Sequence, residues 1–281
     1  MKTPQIVTSI SELRKAVAGW RSAGARVGLV PTMGALHDGH LSLVREIQSR
    51  ADRTVASIFV NPAQFAPHED FDRYPRALDA DAAKLASVSL DLIFAPTVAE
   101  MYPAGFATGI AVGGPSAGLE TDFRPHFFGG VATVVAKLLI AALPDIAIFG
   151  EKDYQQLLVI RRLTADLGLP IEIAGASIVR EADGLAMSSR NAYLKPEERA
   201  IAGWLNKVLQ IGIAQAQTGD DIVAIEYACA SRLLGMGFDT VDYVAIRDAA
   251  TLEKIERLDR PARILAAAKI GATRLIDNMA L

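Results

Sequence analysis

The sequence predicts a doubly wound α/β protein, built on a mostly parallel sheet, with a smaller C-terminal α+β domain behind it. Three observations carry that expectation. Short apolar runs show no polar alternation, as strands buried on both faces do. They alternate with amphipathic segments of helical period across short connections. From Arg180 the composition turns more polar and the order changes to two helical stretches followed by paired strands. The expected domains are residues 1–178 and 179–281.

Gln5-Ile6-Val7 reads as the first strand. Ser11, followed by Glu12-Leu13 and then by Ala16-Val17 and Trp20, reads as the cap of an amphipathic helix that ends at Gly24. Strands follow at 26–31 and 54–60 around a helix at 41–50, and then come a helix at 79–87 and a strand at 91–96. In such an alternation ligands bind outside the carboxyl ends of the strands. Residues 101–130, rich in Gly and Pro, are expected to form loops over a site, with one short strand at 110–112. A buried helix at 131–143, a strand at 145–149, a helix at 154–167 and a strand at 170–179 complete the first domain. The second is expected to hold helices at 196–217 and 221–235, strands at 241–247 and 263–270, and an edge strand at 274–278, with Gly184 and Pro196 bracketing a hinge.

At 281 residues, 51% of them hydrophobic, the chain can bury a large core. A formal net charge of -3 argues against nucleic-acid binding through bulk electrostatics, so an anionic ligand must be met by local donors. The single cysteine, Cys229, excludes an intramolecular disulfide framework and fits a reducing cytoplasm. With four histidines in the chain a structural zinc site is not expected. The residues from Met1 lead into amphipathic structure without a signal-peptide pattern, and the most apolar run, 131–143, is too short to span a bilayer.

Four segments could carry chemistry. Pro31-Thr32-Met33-Gly34-Ala35-Leu36-His37-Asp38-Gly39-His40 joins a buried strand to a helix N-terminus, a place where backbone N–H groups suit a phosphate and where two imidazoles add side-chain donors. Read alone it is equally a tight turn with Gly39 at positive φ. A metal pair is disfavoured, since His68 and His126 have no ligand-like spacing to it. Asn61-Pro62-Ala63-Gln64-Phe65 ends a strand with two amides that both donate and accept, as a hydroxy acid requires, or else is an Asn-Pro turn.

Gly150-Glu151-Lys152-Asp153-Tyr154-Gln155-Gln156 opens a helix with an ammonium, which opposes the helix dipole unless an anion accompanies it. Gln156 shares the face of Lys152. Met187-Ser188-Ser189-Arg190-Asn191 offers hydroxyls and a guanidinium fork matched to phosphate oxygens, or a simple Ser turn. All four fall at strand ends or at the domain junction. Together they offer many donors and few acids.

In this order the motifs resemble the pantothenate synthetase, or pantoate:β-alanine ligase, family. The resemblance includes Ser57-Ile58-Phe59 ahead of Asn61, Tyr74-Pro75-Arg76, and Val179-Arg180-Glu181-Ala182-Asp183-Gly184-Leu185-Ala186 ahead of Met187, and covers residues 4–200. It implies a Rossmann-like nucleotidyltransferase fold. It also implies ATP-dependent formation of a pantoyl-adenylate with magnesium, then attack by β-alanine to give pantothenate and AMP, in a cytoplasmic homodimer. Carried over residue by residue, it assigns ATP contacts to Met33, Gly34, Ala35, Leu36, His37, Asp38, Gly39, His40, Gly150, Glu151, Lys152, Asp153, Val179, Met187, Ser188, Ser189 and Arg190. Gln64, Gln156 and Asn61 would hold pantoate. His40 would be the proton donor, with His37, Lys152, Ser188 and Arg190 completing the catalytic set.

The chain departs from the family pattern Arg-Pro-any-His-Phe-any-Gly-Val, because Arg124-Pro125-His126-Phe127-Phe128-Gly129-Gly130-Val131 puts Phe127 in the histidine's place. Leu119-Glu120-Thr121 likewise replaces Leu-Glu-Gly. His126 is therefore not expected to be catalytic.

Overall fold

Apolar runs that fill both faces of a sheet decide the architecture. In the computed structural model, which describes residues 3–66, 69 and 71–281, six strands pair side by side and all in parallel. They are β1 Gln5–Val7, β2 Val27–Thr32, β3 Arg53–Ile58, β4 Leu92–Phe94, β5 Ile146–Gly150 and β6 Glu172–Ala176. Leu29 and Val55 enter one apolar cluster, while their neighbours Val30 and Ala56 enter another across the sheet. That double burial is why the runs carry no polar alternation.

The strand order is β1-β4-β3-β2-β5-β6. From β2 the chain steps to β3 on one side and later to β5 on the other, so the winding reverses between β2 and β5. A crevice opens at the carboxyl ends of the strands at such a reversal. Residue 33 and those after it, and residue 151 and those after it, leave the sheet at that point.

The covering helices are α1 Ile10–Ser22, α2 Asp38–Gln48, α3 Leu78–Ser87, the short α4 Val98–Met101 and α5 Glu120–Phe123, then α6 Phe127–Ala142 and α7 Tyr154–Asp166. Nearly every residue of α6 is buried. Gly130 allows its first turn to approach the Ala63 carbonyl so closely that a Cβ would overlap it. The Gly130 carbonyl in turn accepts a hydrogen bond from Asn61 Nδ2 at 3.2 Å.

Beyond the parallel sheet come α8 Pro196–Ala202, α9 Trp204–Gln217, α10 Ile222–Gly235 and an antiparallel sheet of β7 Thr240–Asp248, β8 Ala262–Ile270 and β9 Thr273–Ala280. Ile246 and Ile264 pack with Leu205, Val208 and Leu233 in a separate core. Ala245 and Leu265, facing the other way, join the core of the first sheet. Across the same boundary Arg274 and the Tyr243 hydroxyl both donate to the Glu120 carboxylate, each at 2.8 Å.

Several expected boundaries move, each for a local reason. The first helix is capped by Ser9, not Ser11: Ser9 Oγ accepts the Glu12 N–H and Glu12 reaches back to the Ser9 N–H, a reciprocal capping box. The second helix starts at Asp38 rather than residue 41, because His37 serves as its cap. The buried helix begins at Phe127, four residues before the expected start. The expected stretch at 196–217 is two helices that meet at Gly203, which lies against the Asp183 carboxylate. Residues 110–112 form no strand, since the Ile110 N–H donates to Thr133 Oγ1 at 3.0 Å and the Val112 carbonyl accepts from Ser116 Oγ.

Candidate active site

The loop after β2 is braced in part by its own side chains. His37 Nδ1 accepts the Gly39 N–H at 3.1 Å, and His40 Nδ1 accepts the His37 N–H at 3.3 Å. This is an imidazole version of the capping box. The rings lie 4.1 Å apart, centroid to centroid. Because each Nδ1 is an acceptor, each neutral ring carries its proton on Nε2, so the pair offers two N–H donors. Burial, then the charges of Lys152 and Lys84, holds His37 down to about 4. Burial, then His37 and Lys152, holds His40 down to about 3.

Gly39 is helical and not at positive φ, contrary to the turn read from the sequence. Its missing Cβ matters for another reason: one would stand 2.8 Å from the folded-back His37 ring. The left-handed residues are Gly34 and Ala35. The tight turn they make is held by Asp81 of α3, whose two carboxylate oxygens accept the N–H groups of Ala35 and Leu36, both at 2.9 Å. These backbone donors are therefore spent inside the protein, and the imidazoles take over the role expected of them.

Thr32, Met33, His37, Gly39 and His40 line a cleft of about 870 Å³ at the crevice between β2 and β5. Asn61 and Gln64 join its wall through a short helical turn after β3. Asn61 Nδ2 donates to Gln64 Oε1 at 3.1 Å, while Asn61 Oδ1 accepts the Tyr102 hydroxyl at 2.7 Å. These bonds leave Gln64 Nε2 against the Met33 sulfur at 2.9 Å, a weak acceptor that a carboxylate can replace.

The opposite wall comes from β5 and from the strap after β6. Gly150, Lys152 and Asp153 face the cleft, and Gln156 follows on the first turn of α7. Desolvation lowers the Lys152 ammonium pKa, with Arg190 adding to the effect and Asp153 opposing it. The strap doubles back at Gly184, where the Met187 N–H donates to the Val179 carbonyl at 2.9 Å. It then presents Ser188, Ser189 and Arg190 to the cleft. Tyr74 Oη lies 3.2 Å from Ser189 Oγ, a hydrogen bond that ties the strap to the first sheet's side.

Most of the residues expected at a site thus share one cleft. Gly34, Ala35, Leu36, Asp38 and Glu151 do not line it: Asp81 holds the first turn from behind, Leu36 is in the core, Asp38 is exposed and Glu151 pairs with Arg263. His126 is exposed, and His68 lies outside the described residues. Phe127, in the place of the family's histidine, is buried under the Arg124 guanidinium, 3.8 Å from ring centroid to Cζ. Arg124 also grips Glu69 with two nitrogens, at 2.7 and 2.8 Å.

Sequence reasoning missed Asp81 and Asn278. Asp81 had a signal, an acid in phase with Leu85 on the buried face of its helix. Asn278 had none.

A family model described as Pantoate-beta-alanine ligase matches residues 5–280. The chain belongs to that family. Within it the chain is 58% identical to the pantothenate synthetase of Paramagnetospirillum magneticum, over 98% of this chain and 96% of that protein. It is 54% identical to that of Caulobacter vibrioides, with each chain covered in full. The structure matches pantothenate synthetase from Thermus thermophilus with a TM-score of 0.92, at 46% identity and 98% coverage of both chains. It also matches a pantoate-beta-alanine ligase from Francisella tularensis, complexed with beta-gamma ATP and beta-alanine, with a TM-score of 0.83. That pair is 32% identical over 98% of this chain and 97% of the other. The six-stranded parallel sheet with a small antiparallel sheet is thus the architecture of ligase relatives, as the resemblance implied. Among the described residues no helix is long and apolar enough to cross a membrane.

Proposed function

We propose that this chain condenses (R)-pantoate with β-alanine at the expense of ATP, forming pantothenate, AMP and pyrophosphate through a pantoyl-adenylate. One observation carries the reading: at the crevice between β2 and β5 a single cleft gathers two Nε2–H imidazoles, Lys152, the Ser188–Arg190 strap and the amides Asn61, Gln64 and Gln156. Cationic and neutral donors suit a triphosphate, and the buried Asn61 and Gln64 with the half-buried Gln156 suit a small hydroxy acid. Membership of the ligase family supports both halves, and the relative complexed with beta-gamma ATP and beta-alanine supports the nucleotide half.

In this reading Met33, His37, Gly39, His40, Gly150, Lys152, Asp153, Val179 and Met187 to Arg190 meet ATP. Gly34, Ala35, Leu36, Asp38 and Glu151 support those contacts from behind. Gln64 exchanges its contact with the Met33 sulfur for the pantoate carboxylate, and Asn61 and Gln156 fix the rest of the acid.

A pantoate carboxylate oxygen attacks the α-phosphorus while the bond from that phosphorus to the bridging oxygen breaks, and pyrophosphate leaves with the electron pair. Negative charge grows on the phosphoryl and leaving oxygens, where His40, Lys152, Ser188 and Arg190 supply donors. Triphosphate charge beside His40 raises its pKa from about 3, which brings proton donation to the departing group within reach. In the second step the β-alanine amine attacks the acyl carbon, the bond to AMP breaks, and the amine gives up a proton. Positioning in the closed cleft supplies much of the rest.

Among the described residues no group of three or more His, Cys, Asp or Glu side chains could cage a metal. That donor set fits magnesium carried on the triphosphate, with Asp153 the carboxylate beside Lys152 to which it would turn. When bound it would neutralise phosphate charge. We further infer a catalytic lobe at 1–178, a lid at 179–281, and a homodimer through the first lobe, which light scattering on the purified chain tests directly.

Product analysis tests the function. With magnesium and ATP, AMP and pantothenate should appear in equal amounts when pantoate and β-alanine are both present. Nucleotide transfer that ignores pantoate would overturn the reading.

A further inference from the structure

The two phosphate-facing segments of the second wall, the Lys152 turn and the strap, are gripped by adjacent residues of β9. Consecutive strand residues point to opposite faces, so one dipeptide can reach two elements. Asp277, buried, accepts both terminal nitrogens of Arg180 at the base of the strap, at 2.7 and 2.9 Å. Asn278, also buried, sends its amide the other way: Nδ2 donates to the carbonyls of Glu151 at 2.9 Å and Lys152 at 2.8 Å. The Asn278 oxygen is held by Arg263, whose guanidinium also bonds Glu151 and lies 3.8 Å above the Tyr154 ring. The amide orientation is therefore fixed.

We propose that Asn278 is a positioning residue for Lys152, and that with Asp277 it forms a clip setting how far the ammonium stands from Ser188 and Arg190. The physical basis is the short turn between β5 and α7. Its peptide planes carry the Lys152 side chain, and two of its carbonyls end on one amide supplied by the other lobe. A shift of β9 is therefore a shift of the ammonium. A displacement of about 1 Å in a transition-state donor costs on the order of 10²-fold in rate.

The inference rests on the adenylation reading, and its test keeps the two apart. N278D retains size and the oxygen that Arg263 needs but turns the donor into a second oxygen facing two carbonyls. Pantoate-dependent exchange of pyrophosphate into ATP should fall on the order of 10²-fold in N278D. In a Lys152→Ala background the same change should cost about twofold or less, since a residue acting through Lys152 has nothing left to place. N278A runs through the same cycle should behave alike, which keeps the test open if N278D folds poorly. Equal fold-losses in both backgrounds, or no loss in either single variant, would overturn the proposal. Absence of exchange in the unmutated chain would instead remove the adenylation reading itself.

Discussion

The two walls of the cleft are built in opposite ways. The two-histidine loop is braced by bonds spanning two or three residues and by two side chains of α3, Asp81 at 45 and 46 residues and Lys84 at 48. The Lys152 turn and the strap are held by β9, across separations of 126, 127 and 97 residues. A wall braced by its near neighbours and by α3 keeps its geometry wherever β9 stands. The Lys152 turn, braced from β9, carries a donor whose placement depends on how that strand is docked, and this suits a site that must admit two acids and ATP in turn.

Function should depend on both walls alike even though their supports differ. His40→Ala and Lys152→Ala are each expected to lower pantoate-dependent pyrophosphate exchange by roughly 10² or more, with melting temperatures little changed. A normal exchange rate in either variant would break the symmetry between the walls. Support for the first wall is probed by Asp81→Ala, which strips the partner from one buried and one part-buried N–H group. It should destabilise the fold by about 2–4 kcal/mol in urea titrations and weaken ATP binding. An unchanged midpoint would mean that the loop holds itself without Asp81.

A smaller effect is expected from Gly39→Ala. The new methyl would meet the His37 ring at 2.8 Å, so the ring must rotate away while the helix gains propensity. Exchange should drop about tenfold, and stability should not fall. The histidines also leave a signature in pH. Their pKa values in the folded chain, about 4 and about 3, lie below that of an unfolded histidine, so the unfolded state binds more protons between those values and about pH 6.5. The stability tied to their neutrality is thus present above pH 6.5 and is lost as pH falls towards 3. In His40→Gln the dependence of the urea midpoint on pH should flatten by about one proton near pH 5. Smallest of all, Phe127→His should alter turnover by less than about threefold, because the Arg124–Glu69 pair remains to hold that wall.

The same contrast explains what could be read from the sequence. Parallel strands, their alternation with helices and the four motif segments are local patterns, and the chain shows them plainly at Val27, His37 and Lys152. Side-chain capping is also local, yet its chemistry was misjudged twice. Ser9 rather than Ser11 caps α1, and Gly39 makes room for an imidazole instead of a left-handed turn. Asp81 was half legible as an acid on an apolar helix face. Asn278 was not, because nothing about an amide in an edge strand indicates that its partners are the carbonyls of a turn more than a hundred residues earlier.

The most direct test of the account is pyrophosphate exchange into ATP by the purified chain, with magnesium present and β-alanine left out. Exchange that starts only when pantoate is added, and that falls together in His40→Ala and Lys152→Ala, is the predicted result. Exchange without pantoate, or none with it, would contradict an adenylating cleft built from these two walls.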